Sequence, residues 1–169
     1  SWRNRPAPGK LEVADGTVIS VLGEPLTIAL TTVGRARWQF GPDTLYLHPT
    51  STGDLNKLLE KALREKARAV FTERLKIYAP QLGVTTTPPL RLSSARTRWG
   101  SCNHRGDIAL NWRLVLMPLA VVDYVVCHEL AHLKEMNHSS RFWSVVEQLC
   151  PDWKARRLEL RQQGKLVAA

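Results

Sequence analysis

Asp123-Tyr124-Val125-Val126-Cys127-His128-Glu129-Leu130-Ala131-His132-Leu133-Lys134-Glu135-Met136-Asn137-His138 is the stretch on which the reading of the whole chain turns. His128 and His132 stand four residues apart, so a helix stacks their imidazoles on one face, where both can reach a single metal ion. Glu129 sits beside the first, where a carboxylate can hold a metal-activated water and take its proton. A hydrolytic site keeps one coordination position open and so needs a third protein ligand, for which His138 is the candidate. On a continuous helix His138 would lie about 9 Å along the axis and roughly 120° around it, out of reach. The helix must therefore stop, and Asn137 is expected to end it in the left-handed conformation. Glu147, on a following helix, is the alternative third ligand. With five histidines in the chain, chance assembles the three-histidine set with Glu129 at roughly 0.0002 per sequence. His48 and His104 lack such company and read as ordinary loop or strand-end residues. Tyr124, one turn before His128, lines the site or simply packs in the helix.

Outward from this stretch, the helix is expected over about 118–135, with Pro118 in its first turn and apolar residues around much of its surface, hence buried. Ser139 or Ser140 caps a following helix through Leu149. Cys150-Pro151-Asp152 interrupts, and a basic helix runs from Trp153 to Gln163 before Gly164. Upstream, Leu90–Thr97 and Asp107–Leu116 read as a hairpin around the polar turn Asn103-His104-Arg105-Gly106. Apolar residues at helical spacing from Asp54, the expected cap, to Tyr78 give a long amphipathic helix that Ala79-Pro80 ends. Gly16 to Leu47 alternates apolar runs with turn signals, an antiparallel β meander. The class is therefore α+β, with residues 1–53 as a β-meander subdomain and 54–169 as a helix-rich metallohydrolase core with a small sheet, packed as one compact unit.

The composition, 44% hydrophobic and 23% charged over 169 residues, is that of an ordinary globular domain and excludes disordered and collagenous classes. No apolar run nears the roughly 20 residues of a membrane span, and Ser1-Trp2-Arg3-Asn4-Arg5-Pro6 lacks the apolar core of a signal peptide, so no membrane and a cytoplasmic location are expected. Three cysteines, Cys102, Cys127 and Cys150, are an odd number and read as free thiols. The net charge of +9 attracts polyanions, although solvated helix faces account for most of the lysines and arginines.

Thr97-Arg98-Trp99-Gly100-Ser101-Cys102, Leu110-Asn111-Trp112-Arg113-Leu114, the Asp123–Leu133 run and Asn137-His138-Ser139 with Phe142-Trp143 resemble the YgjP-like metallopeptidase-domain family, relatives of the SprT-like and Wss1-like zinc proteases. The resemblance covers essentially the whole chain. It implies a zincin-like fold with the ligands and base already deduced, and a strand around Arg98, Trp99, Gly100, Ser101 and Cys102 that pairs with an extended peptide. The histidine spacing also equals that of metzincins, but Glu135 stands where those place a glycine.

The leading expectation is a peptidase with one Zn2+ per chain held by His128, His132 and His138, Glu129 as general base, and a peptide or protein as substrate. Two alternatives use the same centre. One is hydrolysis of nucleotides or other phosphorylated small molecules. The other is a nucleic-acid-associated protease whose basic last helix contacts phosphates.

Overall fold

Leu45 and Leu47 expose no surface, and that burial puts their strand in the middle of the first sheet. The structure is a computed structural model that describes residues 13–31, 35–50 and 54–168. Ser1–Pro6, the segment read for a signal peptide, and Trp2 lie outside them. The first sheet comprises β1 (Val18–Val21), β2 (Glu24–Leu30), β3 (Arg37–Phe40) and β4 (Thr44–His48), in the order β1-β2-β4-β3. The antiparallel meander expected from the sequence is thus corrected: β2 and β4 run parallel, with Ile28 opposite Leu45 and Leu30 opposite Leu47. The alternation of β4 buries one whole side, which suits a central strand, whereas β3 exposes Arg37 and Gln39 and takes the edge. The Gly41-Pro42-Asp43 turn does make β3 and β4 a hairpin.

At the β1–β2 turn both Leu22 (φ 54°) and Gly23 (φ 83°) have positive φ, as a tight hairpin of the primed type requires. The Leu22 N–H donates to Val115 O at 2.9 Å, and a side chain at Gly23 would touch Pro118. The hairpin tip is thereby seated against the start of the helix that carries His128.

Helix α1 (Leu55–Tyr78) buries Leu58, Leu59, Ala62, Leu63, Ala67, Phe71 and Leu75, one stripe at helical spacing. Asp54 stands at the cap position, but its carboxylate accepts from the Thr50 hydroxyl at 3.0 Å instead of a first-turn N–H. A 3₁₀ turn, Ala79–Leu82, follows.

The second sheet has the order β5 (Leu90–Ser93), β7 (Ile108–Asn111), β6 (Gly100–Cys102). Here the expected hairpin is corrected. Its first arm is Gly100–Cys102, while Leu90–Ser93 lies on the other side of β7 and parallel to it. Trp112–Leu116, read as strand, coils into a 3₁₀ turn because the Asn111 carboxamide accepts from Arg113 N at 3.0 Å and caps it. The turn between β6 and β7 is as expected: Asn103 Oδ1 accepts from the N–H groups of Arg105 and Asp107, and Gly106 supplies positive φ.

Helices α2 (Leu119–Ala131), α3 (Ser140–Leu149) and α4 (Trp153–Ala168) complete the described residues, and two small sheets with four helices give the α+β class expected. Gly164 does not end α4. It is buried where a Cβ would come within 2.9 Å of the Trp99 ring, so its role is close packing. Buried residues of both sheets and of α1, α2 and α3 form a single hydrophobic cluster. Among the described residues no helix is long and apolar enough to cross a membrane.

One polar contact fixes α2 against α1. Asp123 accepts from Arg74 Nε at 2.7 Å, from Arg74 Nη2 at 2.8 Å and from the Tyr78 hydroxyl at 3.0 Å. The Asp123→Ala substitution leaves a guanidinium and a phenol without their acceptor in a largely buried place and is expected to cost about 2–3 kcal/mol in urea unfolding. A loss below about 0.5 kcal/mol would mean that solvent screens the pair and that it does not hold the helix.

Candidate metal centre

The end of α2 delivers the third imidazole. After Ala131 the bonds tighten to 3₁₀ type, from His132 N to Glu129 O, Leu133 N to Leu130 O and Lys134 N to Ala131 O, at 3.0–3.2 Å. The helix therefore stops four residues short of the expected Glu135. The left-handed Asn137 is also corrected, since Leu22 is the only non-glycine residue with positive φ among those described. The 3₁₀ tightening reverses the chain without it. Ser139 caps α3 as expected, accepting from Phe142 N at 3.5 Å, and so anchors His138 from the downstream side.

One nitrogen from each of His128, His132 and His138 falls within a group spanning no more than 4.8 Å, and His138 Nε2 is 3.1 Å from His132 Nε2. Two ligands about 2.0–2.1 Å from a tetrahedral ion stand roughly 3.3 Å apart, so the donor set fits a small divalent cation. His132 Nδ1 lies 3.3 Å from Glu135 O; a proton donated there leaves Nε2 free as ligand. Phe142 is fully buried behind the site, its ring 4.6 Å from that of His132, 4.8 Å from His138 and 5.0 Å from His128. Burial, with the neighbouring His128 and His132, pushes the His138 imidazole below its ordinary pKa, toward the neutral form that binds metal. Glu147 is exposed on α3 and is not part of the group; neither are His48, bonded to the Thr31 hydroxyl, and His104, exposed on its turn.

Glu129 is 5% exposed, with Oε2 3.2 Å from His128 Nδ1. On its other side is Gly100, where a Cβ would come within 2.9 Å of Oε2 and 3.0 Å of Cγ. A glycine at this point of β6 is what lets the strand approach the carboxylate so closely.

β6 is an edge strand, paired with β7 alone among the described residues. Asn111 N donates to Trp99 O and Asn103 N to Asp107 O. With Ser101 opposite Ala109, the antiparallel alternation then makes Trp99, Ser101 and Asn103 face β7. It turns the backbone N–H and C=O groups of Gly100 and Cys102 to the open edge.

The remaining sequence-selected residues divide. Trp99 packs on Gly164, and Arg98 and Ser101 line a groove beyond the strand. Tyr124 is buried with its ring 6.0 Å from that of His128, and burial pushes its hydroxyl up to about 12. Cys102 lies on the expected strand, and burial pushes its thiol up to about 11, with the charge of Glu129 adding to the effect. Sequence reasoning missed the setting of Arg157, which sits 5.2 Å over the Trp143 ring beside the histidines. No local pattern marks it.

Two helix-borne histidines flanking a buried glutamate, with a third imidazole brought in by the next turn, define a metal-dependent hydrolase. The chain belongs to the YgjP-like metallopeptidase-domain family, which matches residues 1–163. Among solved structures it is similar to the metallopeptidase zymogen abylysin of Pyrococcus abyssi, at 28% identity and a TM-score of 0.50, covering 57% of this chain and 94% of that one. It is also similar to the zymogen jannalysin of Methanocaldococcus jannaschii, at 15% identity and a TM-score of 0.44, covering 53% and 94%. No curated protein matches the chain. The expected zincin-like fold agrees with the family and with the likeness to abylysin. Family membership makes the chain a metallopeptidase, with a divalent metal ion as cofactor and a peptide or protein as substrate.

The third ligand is open to a direct check by calorimetry. His138→Ala should weaken divalent-metal binding by about 100-fold or more, beyond what loss of a supporting hydrogen bond costs, and Glu147→Ala should leave it unchanged. The reverse pattern would hand the ligand role to Glu147.

Proposed function

We propose that the chain is a zinc-dependent peptidase in which His128, His132 and His138 hold the ion and Glu129 is the general base. The observation that carries this reading is the confinement of the Glu129 carboxylate between His128 Nδ1 and the backbone of Gly100. Three imidazole ligands with an open fourth position favour zinc among divalent ions. When bound, the ion supplies Lewis acidity, which polarises a carbonyl and brings the pKa of water down to about 7.

The chain's own groups do the rest. The open N–H and C=O groups of Gly100 and Cys102 pair with an extended substrate backbone and hold it along β6. Glu129, at the inner side of the same strand, takes the proton of the attacking water and passes it to the departing amine. Trp99 fixes the strand through α4, while Arg98 and Ser101 contact the substrate from the outer side. The Tyr124 hydroxyl, kept protonated by burial, can donate to an oxyanion. We also propose the cytoplasm as the location, from the odd number of cysteines, and residues 1–53 as a β subdomain packed on a core of residues 54–169.

Glu129→Gln should retain about one zinc per chain and lose peptide hydrolysis, whereas His132→Ala should lose both. Full activity in Glu129→Gln would remove Glu129 as base, and chelator-sensitive hydrolysis of nucleoside triphosphates with none of peptides would overturn the peptidase reading. Gly100→Ala forces the Glu129 carboxylate to move, so turnover should fall at least about tenfold with zinc content unchanged. Undiminished turnover would show that the carboxylate's position is not critical.

A further inference from the structure

The geometry points to a subsite for acidic substrate side chains on the outer face of the second sheet, an inference that rests on the proposed pairing of substrate with β6. Register and alternation give the sheet two different faces. Leu92, Leu110 and Gly100 form one cross-strand row, with both leucines buried and the glycine against Glu129. Arg91, Ala109 and Ser101 form the adjacent row and point the other way. A groove of about 600 Å³ lies over this outer row, with Arg98 and Arg105 also lining it.

The groove is charged and largely uncompensated. Arg105 has Asp107 at 3.8 Å, but among the described residues neither Arg91 nor Arg98 forms an ion pair. Arg98 is also held in place, because the buried Asn111 side chain donates to Ala95 O at 2.8 Å and to Arg98 O at 3.4 Å, tying that loop to β7. Two exposed guanidiniums, of Arg91 and Arg98, thus line a groove to which the outer row contributes only the small side chains of Ala109 and Ser101.

An extended peptide on the open edge of β6 alternates its side chains between the two faces. Side chains on the Gly100 side approach Glu129 and the histidines. Those on the Ser101 side enter the groove beside Arg98, where a carboxylate finds a donor, and Arg91, further across the sheet on β5, adds to the positive field. Selectivity for Asp or Glu at alternate substrate positions follows from the same pairing that presents the scissile bond. A peptide is favoured over a nucleic acid as occupant because the groove adjoins backbone groups spaced to bind another backbone strand.

The test uses the 169-residue chain with Glu129→Gln, zinc-loaded, and fluorescence anisotropy with three labelled extended peptides that carry Glu, Gln or Lys at alternate positions. At low salt the Glu peptide should bind roughly tenfold tighter than the Gln peptide and the Lys peptide weakest. Adding Arg91→Glu and Arg98→Glu should reverse the order, with zinc content and melting temperature unchanged. Equal affinity for the Glu and Gln peptides, or a preference that survives both charge reversals, would overturn the subsite. So would a single-stranded oligonucleotide that binds the groove more tightly than the Glu peptide, since the groove would then serve a polyanion. Cleavage of the Gln peptide by the zinc-loaded native chain separates the two readings: cleavage without acidic preference removes only the subsite, and no cleavage of any of the three removes the peptidase as well.

Discussion

The fold is organised around a helix that must be buried along most of its length and yet carry three polar groups to one point. Apart from His128 and Glu129, α2 offers its surroundings mostly valine, leucine and alanine. Burial of that apolar surface, at about 25 cal/mol per Å², is what draws α1, the second sheet, α3 and α4 around it. The same burial makes every polar group on the helix costly unless it has a partner. Asp123 has Arg74 and Tyr78, Glu129 has His128, and His132 has the Glu135 carbonyl. The imidazole nitrogens left over converge within 4.8 Å, and a cation is the natural partner for such a set.

Placement of the strand beside that helix depends on what is missing from it. Gly100 has no side chain where Glu129 needs space, and Gly164 has none where Trp99 needs it. These two absences bring β6 close to the three histidines and Glu129 on its inner side and lock its leading end to α4. On the proposed reading, substrate recognition and catalysis share this one short strand, whose open edge would bind backbone, whose inner face abuts Glu129 and whose outer face is flanked by Arg91 and Arg98.

The site was more legible in the sequence than the sheets. Helical spacing of His128 and His132 is a local property, and the need for a turn before His138 follows from helix geometry alone. What misled was the means of turning: Asn137 carries the local signal for a left-handed stop, yet 3₁₀ bonds formed by His132, Leu133 and Lys134 do the work. Sheet order is not local. The alternation of β4 announces a strand with one buried side but not its neighbour, so a parallel pairing with β2 and an edge position for β3 could not be read from adjacent turns. Leu90–Ser93 was rightly seen as extended, but its partner lies across β7 from the hairpin. Gly164 carried a helix-stop signal that packing against Trp99 overrode.

Zinc K-edge absorption spectroscopy of the zinc-loaded chain tests the central claim most directly, because it reports the atoms around the ion. Three imidazoles with one oxygen at about 2.0–2.1 Å is the expected coordination. A sulfur at about 2.3 Å, which would recruit Cys102 from the neighbouring strand, or fewer than three imidazoles, would contradict the account and require the centre to be assigned anew.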